Sequence, residues 1–275
     1  MSTPAQISRR LFLASTSATA LVACSGGTSS TATSTILSTT PSAAGPPTSL
    51  SSSSAASSAT TAGSAGPLDD LVALTAVDFD GLGSCPVIPE AAAGPFPNKS
   101  DLVRSDVTVG LPGHPMRLGL RVSDRECVPI PGAKVEIWHA DATGDYSDYE
   151  DSGSGKDEGA GTTFCRGVQV ADDLGIVDFQ TLHPGWYEGR AVHIHLRVHV
   201  DGGEVLTSQI YFSDAYTESV YTVAPCDEFG SPDRTIANDG LAGNPAAEGT
   251  LLNLRPAKTG LGTGTVALLN LVVRT

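Results

Sequence analysis

The chain has 275 residues, 30 of them acidic and 16 basic, for a net charge of -14. Arg9 and Arg10 are the only charges before Asp69, so the remainder carries every acidic residue and 14 of the basic ones. That balance excludes a nucleic-acid binder, which needs a basic footprint to displace counterions from phosphates, and it excludes attachment to anionic lipid by charge alone. No apolar run of about 18 residues follows the N-terminal region, which excludes a transmembrane bundle.

Taken in chain order, residues 1–24 read as an export signal. Ser8-Arg9-Arg10-Leu11-Phe12-Leu13 sets two arginines before an apolar stretch too short to span a bilayer. The arrangement resembles a twin-arginine signal. Leu21-Val22-Ala23-Cys24 resembles a lipobox, in which Cys24 takes a lipid and becomes the mature N-terminus. From Ser25 to Pro67 the chain is nearly all Ser, Thr, Ala, Gly and Pro, without charge or aromatic rings. Such a stretch buries too little apolar surface to offset its ordering entropy, so residues 25–68 are expected to be a disordered tether. The expected localisation is export by the twin-arginine route to the cell envelope as a lipoprotein, or to the extracellular space, with the membrane reached only through Cys24.

Residues 69–275 are long enough for one domain with a sizeable core. Setting Cys24 aside leaves Cys85, Cys127, Cys165 and Cys226. An even count in an exported protein predicts two disulfides, with three pairings open. No two of these cysteines have CxxC spacing, which gives no support to a cysteine metal site.

Alternating apolar positions predict strands at Arg117–Val122, Lys134–His139, His193–Val200, Val205–Phe212 and Thr265–Val273. Gly, Pro, Asp and Asn cluster between these runs, and there is no long amphipathic helix. The predicted fold is all-β, an antiparallel β-sandwich with long functional loops.

On the strand at 193–200, His193 and His195 project from one face about 7 Å apart, close enough to converge on one metal ion, while His199 lies too far along. Just upstream, Pro184-Gly185-Trp186-Tyr187 presents a phenol, and Arg190 follows it. A second phenol, Tyr146, follows Gly144 in the loop after Trp138 and His139. His139 is expected to be structural. His183, beside the Pro-Gly turn, is expected to be exposed, and His114 carries no signal.

Together these segments resemble the intradiol ring-cleavage dioxygenases, which open catechols between their two hydroxyls. The likeness runs through Cys85–Pro89, Gly94–Phe96, Pro131–His139, Gly144–Ser147, Phe164–Gln169, Pro184–Tyr187, Arg190–His195 and Ser208–Phe212, and it is to the secreted branch. It implies that Tyr146, Tyr187, His193 and His195 hold one non-haem Fe(III) per chain. Two hard phenolate oxygens suit ferric iron, and a phenol ionises readily only beside a strong positive charge. The resemblance further implies that Tyr187 leaves its ligand position and takes a substrate proton, that Arg190 stabilises negative charge on the bound ring, and that Gln209 orients groups in the pocket. The partners it implies are a catechol-type small molecule and O2, with muconate-type products. The negative charge of the domain favours neutral over carboxylated catechols. Two alternatives stand beside this reading: a non-catalytic β-sandwich lipoprotein binding aromatic or carbohydrate ligands, and the same four ligands holding Cu(II) or Zn(II). All four ligand positions are filled, which argues against a degenerate binding module.

Overall fold

The computed structural model describes residues 68–69, 73–83, 85–97, 101–149, 159–259 and 262–275. All belong to the second of two units into which the chain divides, Thr60–Thr275. The export signal, Cys24 and the tether up to residue 67 lie outside the described residues. Among the described residues no helix is long and apolar enough to cross a membrane.

In chain order the elements are β1 (Leu68–Asp69), α1 (Ala76–Phe79), β2 (Pro115–Ser123), β3 (Lys134–Trp138), β4 (Arg166–Val170), β5 (Ile176–Leu182), β6 (His193–Val200), β7 (Gly203–Tyr211), α2 (Asp214–Val220), α3 (Pro245–Glu248), β8 (Asn253–Thr259) and β9 (Gly262–Val272). They build a five-stranded sheet, β1-β8-β9-β2-β5, and a four-stranded sheet, β4-β3-β6-β7. Leu118, Leu120 and Val122 of β2, with Phe179, Leu269 and Leu271, meet Val135, Ile137, Ile194, Leu196 and Ile210 of the smaller sheet in one buried core. The expected sandwich is therefore present. Burying each such side chain contributes about 1.5–3 kcal/mol. Strand β9 is buried on its other face as well, where Val266 and Leu268 pack with Leu74 and Phe79.

Two features depart from a purely antiparallel sandwich. Strand β2 pairs in parallel with β9, Leu120 opposite Leu269, and β1 pairs in parallel with β8. A parallel pair needs a long crossover, and nearly the whole domain lies between β2 and β9.

The β6–β7 hairpin turns at Asp201 and Gly202, with φ of 50° and 79°. Two consecutive positive φ values belong to the mirror-image turns whose twist suits a hairpin. Register shifts beyond Val198, which pairs with Leu206 while His199 pairs with Glu204. Val205 is thus the extra residue of a bulge.

The expectation of two disulfides is not met. Cys85 bonds Cys127 across 42 residues, but Cys165 and Cys226 are free and buried. They have separate surroundings: Cys165 sits beside Arg104, Asp141 and Arg166, and Cys226 lies in the main core. His183 also departs from expectation, being 1% exposed. Its main-chain N–H donates to the His114 carbonyl at 2.9 Å, and its ring packs against Phe212, Tyr216 and Tyr221. His139 is structural as expected, buried between the Ala140 carbonyl and the Thr181 hydroxyl, each 2.7 Å away.

Burial holds His139 near a pKa of about 4 and His183 well below the usual imidazole value of 6.5. The unfolded chain takes up these protons near 6.5, so their contribution to stability is complete above that pH and is lost as pH falls toward 4. Thermal unfolding of the metal-free protein is expected to show Tm falling through this window, with a shallower slope in His183→Leu. A pH-independent Tm would contradict the assignment. Thiol titration of the denatured, unreduced protein is expected to find Cys165 and Cys226 reactive, and reduction should release two further thiols.

Candidate metal centre

The site lies on the outer face of the four-stranded sheet. Antiparallel pairing aligns Arg166 of β4, Trp138 of β3, His195 of β6 and Gln209 of β7 in a single cross-strand row. His193 and Tyr211 form the next pair on this face of β6 and β7. Alternation sends Ile194, Leu196 and Ile210 into the core and leaves this polar set on the opposite side. The Trp138 indole lies flat on the His195 ring, with centroids 5.1 Å apart and planes 3° apart, which fixes the imidazole from one face.

A chain segment crosses this face as a cover. Anchored by the Cys85–Cys127 bond and by Ile88 N–H donating to the Val272 carbonyl at 2.9 Å, it accepts hydrogen bonds from the sheet as it passes. Gln209 Nε2 donates to the Ala92 carbonyl at 2.6 Å and Arg166 Nη2 to the Phe96 carbonyl at 2.9 Å. Gly94, with φ of 72°, lies against the His195 ring; a β-carbon there would stand 2.8 Å from His195 Cε1.

The two phenols come from loops locked backbone to backbone. Asp141 Oδ1 accepts from Thr143 N–H, Thr143 Oγ1 and Asp145 N–H at 2.8–3.1 Å, which tightens the turn ahead of Tyr146. Gly185 N–H donates to the Asp141 carbonyl at 2.6 Å and joins this turn to the one carrying Tyr187. A β-carbon at Gly144 would overlap the Trp186 carbonyl oxygen, and one at Gly185 would overlap the Gly144 nitrogen. Only glycine permits this approach.

All four side chains expected to hold a metal come together. His193 Nε2 lies 3.1 Å from His195 Nε2 and 3.1 Å from the Tyr187 hydroxyl. The Tyr146 ring centroid is 5.7 Å from that of Tyr187 and 6.0 Å from that of His195. His193 Nδ1 lies 2.7 Å from the Ala191 carbonyl, a contact that requires the ring proton on Nδ1 and leaves the Nε2 lone pair facing inward. Burial, then the Arg190 charge, holds His193 near a pKa of about 3; burial and His193 keep His195 well below its usual value. Both imidazoles are therefore neutral and able to donate lone pairs. Burial raises the ionisation of Tyr146 far above the ordinary phenol range, and it raises Tyr187 too, opposed there by the neighbouring Tyr146 hydroxyl and the Arg190 charge. Without an added cation the two phenols stay protonated. The His193 lone pair, the His195 Nε2 atom and two phenol oxygens form a donor set that fits a hard or borderline cation. Among the described residues no group of three His, Cys, Asp or Glu side chains is placed to hold a metal, so such a centre needs the phenols.

Arg190 and Gln209 lie beside this cluster. Arg190 Nη2 donates to Gln209 Oε1 at 2.6 Å and to the Tyr211 hydroxyl at 3.3 Å. Gln209 thus has its oxygen on Arg190 and Tyr211 and its nitrogen on the Ala92 carbonyl. Two further residues of the site, Tyr211 and Asp239, are not among those the sequence motifs mark. Tyr211 was within reach, two residues beyond Gln209 on the same strand face. Asp239, which grips Arg190, sits in an Asp-Gly loop with no local signal. A hollow of about 280 Å3 lined by Leu82, Pro86, Ala246, Leu251 and Asn270 lies apart from all these residues and holds no titratable group, so it offers no chemistry.

A family model described as dioxygenase matches residues 89–228. The chain belongs to the intradiol ring-cleavage dioxygenase family. Among curated proteins, this family member is 28% identical over 187 residues to a catechol 1,2-dioxygenase of Pseudomonas sp. (strain EST1001), covering 59% of this chain and 60% of that one. Among solved structures it is similar to an intradiol ring-cleavage dioxygenase from Tetranychus urticae, with 29% identity, a TM-score of 0.61 and coverage of 69% of this chain and 95% of the other. It also resembles the dioxygenase domain of a dioxygenase carbohydrate-binding protein fusion from Streptomyces sp. SirexAA-E, with 27% identity, a TM-score of 0.51 and coverage of 69% and 99%. The match to the Pseudomonas relative spans about 60% of that protein's length.

Gly144→Ala is expected to lose at least about 2 kcal/mol of stability, from positive φ and overlap with the Trp186 carbonyl together. Chemical denaturation measures the loss, and a wild-type midpoint would show that the two phenol loops are not locked at this contact.

Proposed function

We propose that this chain is a non-haem Fe(III) dioxygenase that opens catechol-type rings between their two hydroxyls, using O2, to give muconate-type products. The observation that carries the reading is the meeting of two phenols and two neutral imidazoles at one buried point, with hydroxyl and Nε2 atoms at 3.1 Å. Tyr146 and Tyr187 would hold one iron through oxygen, and His193 and His195 through Nε2. Bound there, ferric iron would supply a positive charge that favours ionised phenols and catechol hydroxyls and would make the ring reactive toward O2.

The chain's own groups divide the remaining work. Tyr146 is 0% exposed and enclosed by Phe96 and Trp138, and it stays in place. Tyr187 is half-buried, hydrogen-bonded to His193 and close to the Arg190 charge, so it is the phenol placed to accept a proton at its oxygen from an incoming catechol hydroxyl. Arg190 keeps its charge beside Tyr187 and stabilises negative charge on the ring oxygens. Phe96, Trp138 and the covering segment exclude water from the Tyr146 side. The acidic balance of the protein favours neutral catechols. The arginine pair at 9–10 and Cys24 support export in folded form and attachment through lipid, which allows iron to be loaded before release.

Protein supplied with Fe(III), catechol and isotopically labelled O2 is expected to yield a muconate carrying both oxygen atoms of one O2 molecule. Tyr187→Phe is expected to retain iron while turnover falls about 10²-fold. Unlabelled product, or wild-type turnover in Tyr187→Phe, would contradict the proposal.

A further inference from the structure

The turn carrying Tyr187 and Arg190 is short, reaching His193 six residues after Tyr187, and its own backbone holds it by a single bond, Arg190 N–H to the Tyr187 carbonyl at 3.4 Å. From outside it is held at its start, where Gly185 N–H donates to the Asp141 carbonyl at 2.6 Å and Trp186 N–H to the Tyr221 hydroxyl at 2.9 Å, and beyond Trp186 by residues 229–241. Trp186 Nε1 donates to the carbonyls of Phe229 at 3.2 Å and Gly230 at 3.1 Å. Gly189 N–H donates to the Asp233 carboxylate at 3.1 and 3.3 Å. Asp239 then takes two consecutive residues of the turn: Arg190 Nε donates to its two oxygens at 3.0 and 3.3 Å, and Ala191 N–H donates at 2.8 Å. The Asp239 side chain is 1% exposed, and its Oδ1 also accepts from Leu241 N–H at 2.8 Å.

This grip fixes the guanidinium in orientation as well as place. Nε is committed to Asp239 and Nη2 to Gln209 and Tyr211, so the guanidinium plane cannot rotate about the side-chain axis without breaking bonds on both sides. Ala191 is tied by the same carboxylate, and its carbonyl accepts from His193 Nδ1. One carboxylate therefore reaches Arg190 directly and the His193 ring through a single residue. We propose that Asp239 is the positioning residue of this site, holding Arg190 and the turn of Tyr187 in working geometry, with residues 229–241 acting as the fixed wall that so short a turn lacks. The inference rests on the dioxygenase reading for its kinetic consequences and on geometry alone for its thermal ones.

The test is a double-mutant cycle on the full chain. Asp239→Asn removes the charge but keeps an acceptor for Ala191, and it is expected to lower kcat for catechol at least about tenfold, since small misplacements of a catalytic group are costly. KM should stay within about threefold, as expected when an interaction serves the reaction step more than ground-state binding. Asp239→Glu should recover part of the loss. In an Arg190→Ala background, Asp239→Asn should change kcat by less than about twofold, because the two residues act as a unit. Wild-type kcat in Asp239→Asn, or the same fold-loss without Arg190, would overturn the proposal. Tm values of the metal-free single and double variants give a second readout that needs no turnover: sub-additive losses support the grip and additive losses reject it. A wild type inactive toward catechol but with coupled Tm values would sink the activity reading and leave the positioning role standing.

Discussion

Strand register on one face of the four-stranded sheet governs everything else in the site. Trp138, His195 and Gln209 stand in line because β3, β6 and β7 pair at those residues. A slip of one residue would send Trp138 and His195 into the core and turn Ile137 and Leu196 outward. Burial forbids that exchange, since Ile137 and Leu196 are wholly enclosed by the opposite sheet. The Asp201–Gly202 turn and the bulge at Val205 set the hairpin, and they do so at its far end, away from the histidines.

A sheet face alone does not make the site. Its imidazoles are joined by phenols from two loops, and each loop is held by an approach that no side chain would allow. Gly144 lies against the Trp186 carbonyl, Gly185 against the Gly144 nitrogen, and Gly94 against the edge of His195. The covering segment adds carbonyl acceptors for Gln209 and Arg166, so it satisfies buried donors and shuts out water together. Buried neutral imidazoles and protonated phenols are costly without a shared partner, and a single cation would satisfy all four.

Much of this was legible in the sequence, for reasons that differ by element. Strands β2, β3, β6, β7 and β9 alternate clearly because one face is apolar. Strand β8 hides its character behind Pro256 and Arg255, and β4 is short, with Val168 and Val170 as its apolar signal and Val170 exposed. The parallel pairing of β2 with β9 is a property of topology that no local pattern encodes. The HxH spacing of His193 and His195 marks a polar pair on one strand face, but the four-ligand set with Tyr146 and Tyr187 follows only from the family resemblance. Asp239 has no such mark, because it meets Arg190 across 49 residues. The cysteines misled because an even count does not place sulfurs together, and His183 misled because a neighbouring Pro-Gly turn says nothing of where the preceding ring points.

The central claim is that Tyr146, Tyr187, His193 and His195 surround one metal position. Crystals of the protein loaded with Fe(III), measured at the iron absorption edge, test it most directly. The account predicts one anomalous peak per chain, within bonding range of both phenol oxygens and both Nε2 atoms. A peak elsewhere on the chain, or one bounded by the histidines with neither phenol, would contradict it.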